Sequence, residues 1–165
     1  MSTERYQAHL TISWDRLHRD VRALCHGLLA RQTSFKGIIA ITRGGLIPAA
    51  LVARELDVRL IDTICIKSYD HMDQGGLQVL KGIDHDGDGW LLIDDLVDTG
   101  KTARAVRDML PRAFFATIYA KPEGKPLVDY CLEDVGQDTW IQFPWDMGLS
   151  YIEPLVSRQH GEPES

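Results

Sequence analysis

Cysteine is scarce in this sequence of 165 residues. The three present, Cys25, Cys65 and Cys131, make no C-x-x-C pair and are odd in number, which argues for reduced core residues rather than a disulfide framework. No apolar run approaches the ~20 residues that cross a bilayer, and no leader pattern of a basic stretch followed by an apolar one is visible. A cytoplasmic protein is the expectation. Basic residues are also short: 18 Lys and Arg stand against 24 Asp and Glu, a formal charge of −6. With no basic stripe or arm, nucleic acid is not expected as a partner. The six histidines are scattered, none at metal-ligand spacing. Repeats are absent, and the length suits one domain, residues 1–165.

What is present is an alternation of helix and strand patterns. Trp14, Leu17, Val21, Leu24, Cys25 and Leu28 recur at three and four residues, an amphipathic helix with Ser13 as its cap. Gly37–Thr42 reads as a buried strand, Pro48 opens a helix to about Leu56, and Leu60–Ile66 is strand-like. Residues 70–76 are polar and glycine-rich, a loop. A strand from Trp90, a helix from Ala103 to Leu110 and a strand over Phe114–Ala120 follow, then short strands or loops to Pro154. The predicted fold class is α/β, a twisted, mostly parallel sheet flanked by helices.

The run Trp90 to Thr102 carries the chemistry. Apolar Trp90-Leu91-Leu92-Ile93 leads into Asp94-Asp95, then Leu96-Val97, then Asp98-Thr99-Gly100-Lys101-Thr102 at the start of a helix. That order sets carboxylates and backbone amides at the carboxyl edge of a parallel sheet, where open α/β folds bind ligands. Amides at a helix start attract phosphate, and adjacent acids hold a hard cation or sugar hydroxyls. A ligand combining phosphate, sugar and magnesium suits both halves.

Competing motifs fare worse. Gly100-Lys101-Thr102 suggests a P-loop, but that motif needs glycine at position 95, which is Asp. Gly87 and Gly89 begin a dinucleotide pattern that Leu92 ends. Asp84-His85-Asp86-Gly87-Asp88-Gly89 reproduces the first half of an EF-hand calcium loop with Asp95 at position twelve. Its preceding segment, Gly75 to Gly82, is too short and glycine-broken for the flanking helix, and Leu92 takes the ninth position. An acidic glycine turn is the plainer reading.

Arg43-Gly44-Gly45 lies between the Gly37–Thr42 strand and the Pro48 helix, where glycines admit a diphosphate to the backbone and Arg43 adds charge. With the Asp94-Asp95 run complete over thirteen positions, the chain resembles the type I phosphoribosyltransferases. Ser68-Tyr69-Asp70-His71, Ala120-Lys121-Pro122, Pro126-Leu127-Val128-Asp129, Asp138-Thr139-Trp140-Ile141 and Pro144-Trp145-Asp146-Met147-Gly148 extend the resemblance over about residues 6–153, to the bacterial xanthine-guanine (6-oxopurine) branch.

That resemblance implies a type I phosphoribosyltransferase fold with a small carboxyl-terminal hood over about 122–155 and a disordered tail over 156–165. It implies purine salvage: magnesium-dependent transfer of 5-phosphoribosyl from phosphoribosyl pyrophosphate (PRPP) to N9 of guanine, xanthine and, less well, hypoxanthine, giving GMP, XMP and IMP. Site roles follow residue by residue. Arg43 and Gly44 would meet pyrophosphate, and a cis peptide is implied at Thr42–Arg43. Asp94 and Asp95 would hold ribose hydroxyls, with Asp95 as the Mg2+ ligand. Leu96, Val97, Asp98, Thr99, Gly100, Lys101 and Thr102 would line the PRPP phosphate. Asp98 would face purine N7 and manage its proton, and Lys121 would donate to O6. Trp140 would stack on the base, and the backbones of Trp140 and Ile141 would meet its C2 substituent. Asp98, Lys121 and Arg43 are the implied catalytic set. Closure of the loop at 68–76 would exclude water. A homotetramer and peripheral association with the inner face of the cell membrane are implied as well.

Plainer roles stand beside these: Asp98 as a helix cap, Lys121 as a solvated surface lysine, Trp140 as core. The branch usually carries a basic residue near Gly75, and Gln74-Gly75-Gly76 has none. Lys67 or Lys81 could substitute, or backbone amides alone could serve, and weaker PRPP binding is the expectation. Two other function classes remain, a non-catalytic nucleotide-sensing regulator and a calcium-loop binder. The preference order among the three bases is not written in the sequence.

Overall fold

The computed structural model describes residues 6–32, 34–68, 76–146 and 155–158. In chain order the elements are β1 (Ala8–Thr11), α1 (Trp14–Leu29), β2 (Gly37–Thr42), α2 (Leu46–Glu55), β3 (Ile61–Ser68), β4 (Leu77–Lys81), β5 (Trp90–Val97), α3 (Lys101–Met109), β6 (Phe114–Ala120), a 3-10 turn (Lys125–Leu127), β7 (Tyr130–Asp134), β8 (Thr139–Gln142) and α4 (Leu155–Arg158). They gather into two compact units, residues 18–137 and residues 1–17 with 138–165.

The larger unit is a six-stranded sheet in the order β4-β3-β2-β5-β6-β7, parallel except for β4, which runs antiparallel to β3. Its middle strands are apolar throughout because helices cover both faces, as parallel sheets require. Ile38, Ile39, Leu91, Leu92, Ile93, Ala116 and Ile118 are all wholly buried. On one side Ile39, Ile41, Leu92 and Phe115 pack with Ala103, Val106 and Leu110 of α3 and its end. From β2 the chain passes through α2 to β3 on one flank, and from β5 through α3 to β6 on the other. Adjacent strands β2 and β5 therefore send their following loops in opposite directions, which opens a crevice at their carboxyl ends. The loops that fall there are 43–45 and 98–100.

In the smaller unit β1 pairs parallel with β8, Ala8 opposite Thr139 through Thr11 opposite Gln142. Residues 138–165 group with the amino-terminal segment in this unit. Of the tail over 156–165, residues 159–165 lie outside the described residues, and the described part belongs to α4.

Local signals explain the element bounds. Ser13 Oγ accepts the Arg16 N–H at 3.1 Å and caps α1. Leu17, Val21, Leu24 and Leu28 are fully buried, while Trp14 is 54% exposed, its indole tilted against Trp145 at 6.3 Å. Strand β5 does not stop before the acids but continues through Asp94 and Asp95 to Val97, paired with β6. The segment read as glycine-broken contains β4, a strand with no regular alternation of buried and exposed residues. The expected loop over 70–76 lies, but for Gly76, outside the described residues. The cysteines are free, Cys25 buried and the other two half-buried.

Candidate active site

The turn after β2 is built from backbone. The Thr42–Arg43 peptide is cis, as expected. Gly45 N–H donates to the Ile41 carbonyl at 2.8 Å and Leu46 N–H to that of Arg43 at 3.1 Å. Gly45 caps α2 without a side-chain hydrogen bond. Arg43 is exposed. Gly44 has a specific reason to lack a side chain: a Cβ there would fall 2.5 and 2.6 Å from the two carboxylate oxygens of Asp95. The two sequence motifs, with Gly44 and Asp95 51 positions apart, thus meet as a glycine backbone against a carboxylate.

Asp94 and Asp95 each accept the next amide along the strand. Asp95 N–H donates to Asp94 Oδ1 at 2.9 Å and Leu96 N–H to Asp95 Oδ1 at 2.7 Å. Both residues are half-buried. Burial of its carboxyl, then the charge of Asp95, pushes the Asp94 acid well above the usual carboxylate range. Two like charges this close call for a positive partner or hydroxyl donors. Among the described residues no three His, Cys, Asp or Glu side chains gather into a metal cluster. The donor chemistry of the pair fits a hard cation that binds one or two carboxylates and completes its shell with water and ligand oxygens.

Beyond Val97 the chain turns through Asp98, Thr99 and Gly100 into α3. Gly100 is the cap, with a positive φ of 85° and no side-chain hydrogen bond, so the helix opens on uncapped amides. Thr99 and Thr102 are half-buried and Lys101 is exposed. Asp98 is therefore not the cap that its sequence position allowed. Its carboxylate meets Lys121 instead, with Nζ donating to Oδ2 at 3.1 Å. Nor is Lys121 a solvated surface residue: it is 1% exposed, and its N–H donates to the Val97 carbonyl at 2.9 Å, fixing it where β6 ends beside β5. Gln137 joins this pair, Nε2 donating to Asp98 Oδ1 at 2.7 Å. Sequence reasoning missed Gln137, and no spacing or motif signal singles it out.

Trp140 and Ile141 belong to the smaller unit. Trp140 is half-buried, edge-on to the Tyr6 ring at 5.1 Å, and Ile141 is buried. The acidic turn at 84–89 is occupied by its own partners: Arg112 pairs with Asp86 and Asp88, Lys36 with Asp88, and Asp86 Oδ1 accepts the Asp88 N–H. Strands β4 and β5 flank this turn where an EF-hand has helices, which leaves the calcium reading without its scaffold. Lys81 is held by Asp62 Oδ1 and the Thr63 carbonyl, both at 2.6 Å, which argues against it as the substitute for a basic residue at 75. Tyr69 to Gly75 lie outside the described residues.

A phosphoribosyl transferase domain is recognised over residues 13–152. The chain is 73% identical over 158 residues to the xanthine-guanine phosphoribosyltransferase of Chromohalobacter salexigens, covering 96% of each chain, and 58% identical to that of Desulfotalea psychrophila, covering 95% of this chain and 98% of the relative. Among solved structures, a purine phosphoribosyltransferase from Pyrococcus horikoshii superposes with a TM-score of 0.73 at 27% identity, over 88% of this chain and 99% of the other. With the crevice at the β2–β5 switch point and both glycine turns in it, these likenesses agree on one assignment: the chain belongs to the phosphoribosyltransferase family and is a glycosyl-transferring enzyme.

Proposed function

We propose that the chain transfers the 5-phosphoribosyl group of PRPP to N9 of a 6-oxopurine, guanine or xanthine and less well hypoxanthine, releasing pyrophosphate with GMP, XMP or IMP in purine salvage. The observation that carries the base assignment is the buried Lys121 ammonium beside the Asp98 carboxylate at 3.1 Å. A fixed donor next to a fixed acceptor complements the O6 and N7–H edge of an oxopurine. Adenine would set its C6 amino group, a donor, against the lysine. The names of the two relatives support the same choice.

In this reaction the bond from ribose C1 to the pyrophosphate oxygen breaks while N9 bonds to C1, through an oxocarbenium-like centre. Arg43 and the Gly44 backbone receive the departing pyrophosphate and its growing charge. Asp94 and Asp95 take the ribose hydroxyls. The amides from Asp98 to Thr102, with the Thr99 and Thr102 hydroxyls, clasp the 5′-phosphate at the uncapped start of α3. Asp98 accepts the proton that leaves N7 as N9 bonds to C1, so the nucleotide forms with N7 bare. Mg2+ bound at Asp95 would supply charge neutralisation for the diphosphate. Stacking by Trp140 and contacts from the Trp140 and Ile141 backbones to the C2 substituent belong to the same proposal, as do a homotetramer, a cytoplasmic location and peripheral association with the inner membrane face. Among the described residues no helix is long and apolar enough to cross a membrane.

Absorbance assays with PRPP, Mg2+ and each of guanine, xanthine, hypoxanthine and adenine test the proposal. Nucleotide from the three oxopurines and none from adenine is expected. A chain that prefers adenine, or that makes no nucleotide from any base, refutes it.

A further inference from the structure

The Asp98 carboxylate is held at both oxygens. Lys121 Nζ donates to Oδ2 at 3.1 Å and Gln137 Nε2 to Oδ1 at 2.7 Å. The other end of the Gln137 amide is fixed as well, because its Oε1 accepts the Glu123 N–H at 3.1 Å. A carboxylate only accepts and a backbone N–H only donates, so the two neighbours leave one orientation for the amide. Gln137 thereby ties the loop after β5 to the turn after β6. That turn begins at Lys121, whose carbonyl accepts from Gly124 at 3.1 Å and Lys125 at 2.9 Å. The two segments pack closely: a Cβ on Gly124 would lie 2.8 Å from the Asp98 carbonyl oxygen.

We propose that Gln137 is a positioning residue that fixes the plane of the Asp98 carboxylate during transfer, a role that rests on the proposed 6-oxopurine reaction. An ammonium is a compact charge that follows either carboxylate oxygen, and the last torsion of an aspartate is broad. The ion pair alone therefore leaves the plane of Asp98 loose. It becomes looser once the purine O6 draws on the same ammonium. The amide donor on the opposite oxygen removes that freedom, and being neutral it places no second charge beside the proton at N7. PRPP phosphates are bound by other groups, so the loss of Gln137 should appear in turnover with the base rather than in PRPP affinity.

Gln137→Met keeps the length and removes both hydrogen bonds. Loss of a hydrogen bond to a charged group lowers kcat with guanine by about tenfold or more, while KM for PRPP stays within about twofold of wild type. Gln137→Glu, which turns a carboxylate toward Asp98, lowers kcat further. In an Asp98→Asn chain, assayed at high enzyme concentration, adding Gln137→Met changes kcat by less than about twofold, because the group through which it acts is already altered. A general brace would lower both chains equally. If Gln137→Met folds poorly, Gln137→Asn, which draws the amide back by one methylene, should give the same division between kcat and KM. Wild-type kcat in the Met variant, or a matching rise in the KM for PRPP, overturns the role of Gln137 while leaving the proposed reaction standing. A wild-type chain that makes no nucleotide overturns both.

Discussion

Replacing Gly44 by alanine perturbs the crevice at one atom. The added Cβ would sit 2.5, 2.6 and 2.7 Å from Oδ2, Oδ1 and Cγ of Asp95. Carbon atoms rest comfortably at about 3.5 Å from their neighbours, so the carboxylate must retreat by about 1 Å. Gly44 is not among the positive-φ glycines, and crowding alone is at issue. The retreat breaks the 2.7 Å bond from Leu96 N–H and moves the acid away from the sugar and cation it is proposed to hold. A misplacement of that size costs on the order of 10²-fold, or about 2.7 kcal/mol. With PRPP at about 100 times the wild-type Kd, ligand stabilises the native chain by about 2.7 kcal/mol, and a hundredfold weaker variant by only about 0.4 kcal/mol. Thermal melts of wild type and Gly44→Ala with and without PRPP and Mg2+, together with KM for PRPP, read this directly. The unliganded variant should melt within a few degrees of wild type and lose most of its PRPP-induced shift. An alanine variant with wild-type PRPP affinity and an undiminished shift would refute the contact between the two loops.

Lys121→Met should lower kcat/KM for guanine by about 10²-fold and leave PRPP affinity unchanged, and its stability cost should be small because the Asp98 side chain is 34% exposed and keeps its water. Steady-state kinetics with each substrate varied checks both parts. Arg107 donates to the Leu127 and Ala113 carbonyls at 2.9 and 2.8 Å and to Asp129 Oδ2 at 2.6 Å, so Arg107→Met should destabilise the fold by about 2 kcal/mol in urea unfolding with active-site affinity retained. Burial, then Glu55, pushes the Cys25 thiol from 9.0 up to about 12. The native chain holds this proton longer than the unfolded one, so the contribution is fully present below pH 9.0 and is lost as pH rises toward 12. Over that window Cys25→Ala should flatten the fall of stability by about 1.4 kcal/mol per pH unit, measured as urea midpoints, and native Cys25 should resist thiol reagents at pH 8.

Legibility in the sequence followed physical cause. Strands β2 and β6 matched their expected bounds residue for residue, because each is an apolar run buried on both faces. Strand β4 was missed: it is a mostly exposed edge whose side chains follow no period, and among the described residues its strand pairing is with β3 alone. The acidic turn at 84–89 suggested calcium because the cations that neutralise it, Lys36 and Arg112, lie far off in sequence. The placing of the Arg43-Gly44-Gly45 and Asp94–Thr102 runs in loops at the carboxyl edge of the sheet was legible from their order on strand and helix. The reason for Gly44 was not, since it depends on Asp95 arriving from the neighbouring strand. Asp98 suited a cap by position, yet Gly100 takes that place and frees the carboxylate for Lys121 and Gln137. Gln137 has no motif, and only the closeness of two loops gives it a partner.

A crystal structure with GMP bound tests the central claim most directly. The 5′-phosphate should lie on the amides from Thr99 to Thr102, the ribose hydroxyls against Asp94 and Asp95, and the guanine O6 within hydrogen-bonding reach of Lys121 Nζ. GMP seated away from the β2–β5 crevice, with that cleft holding only solvent, would contradict it.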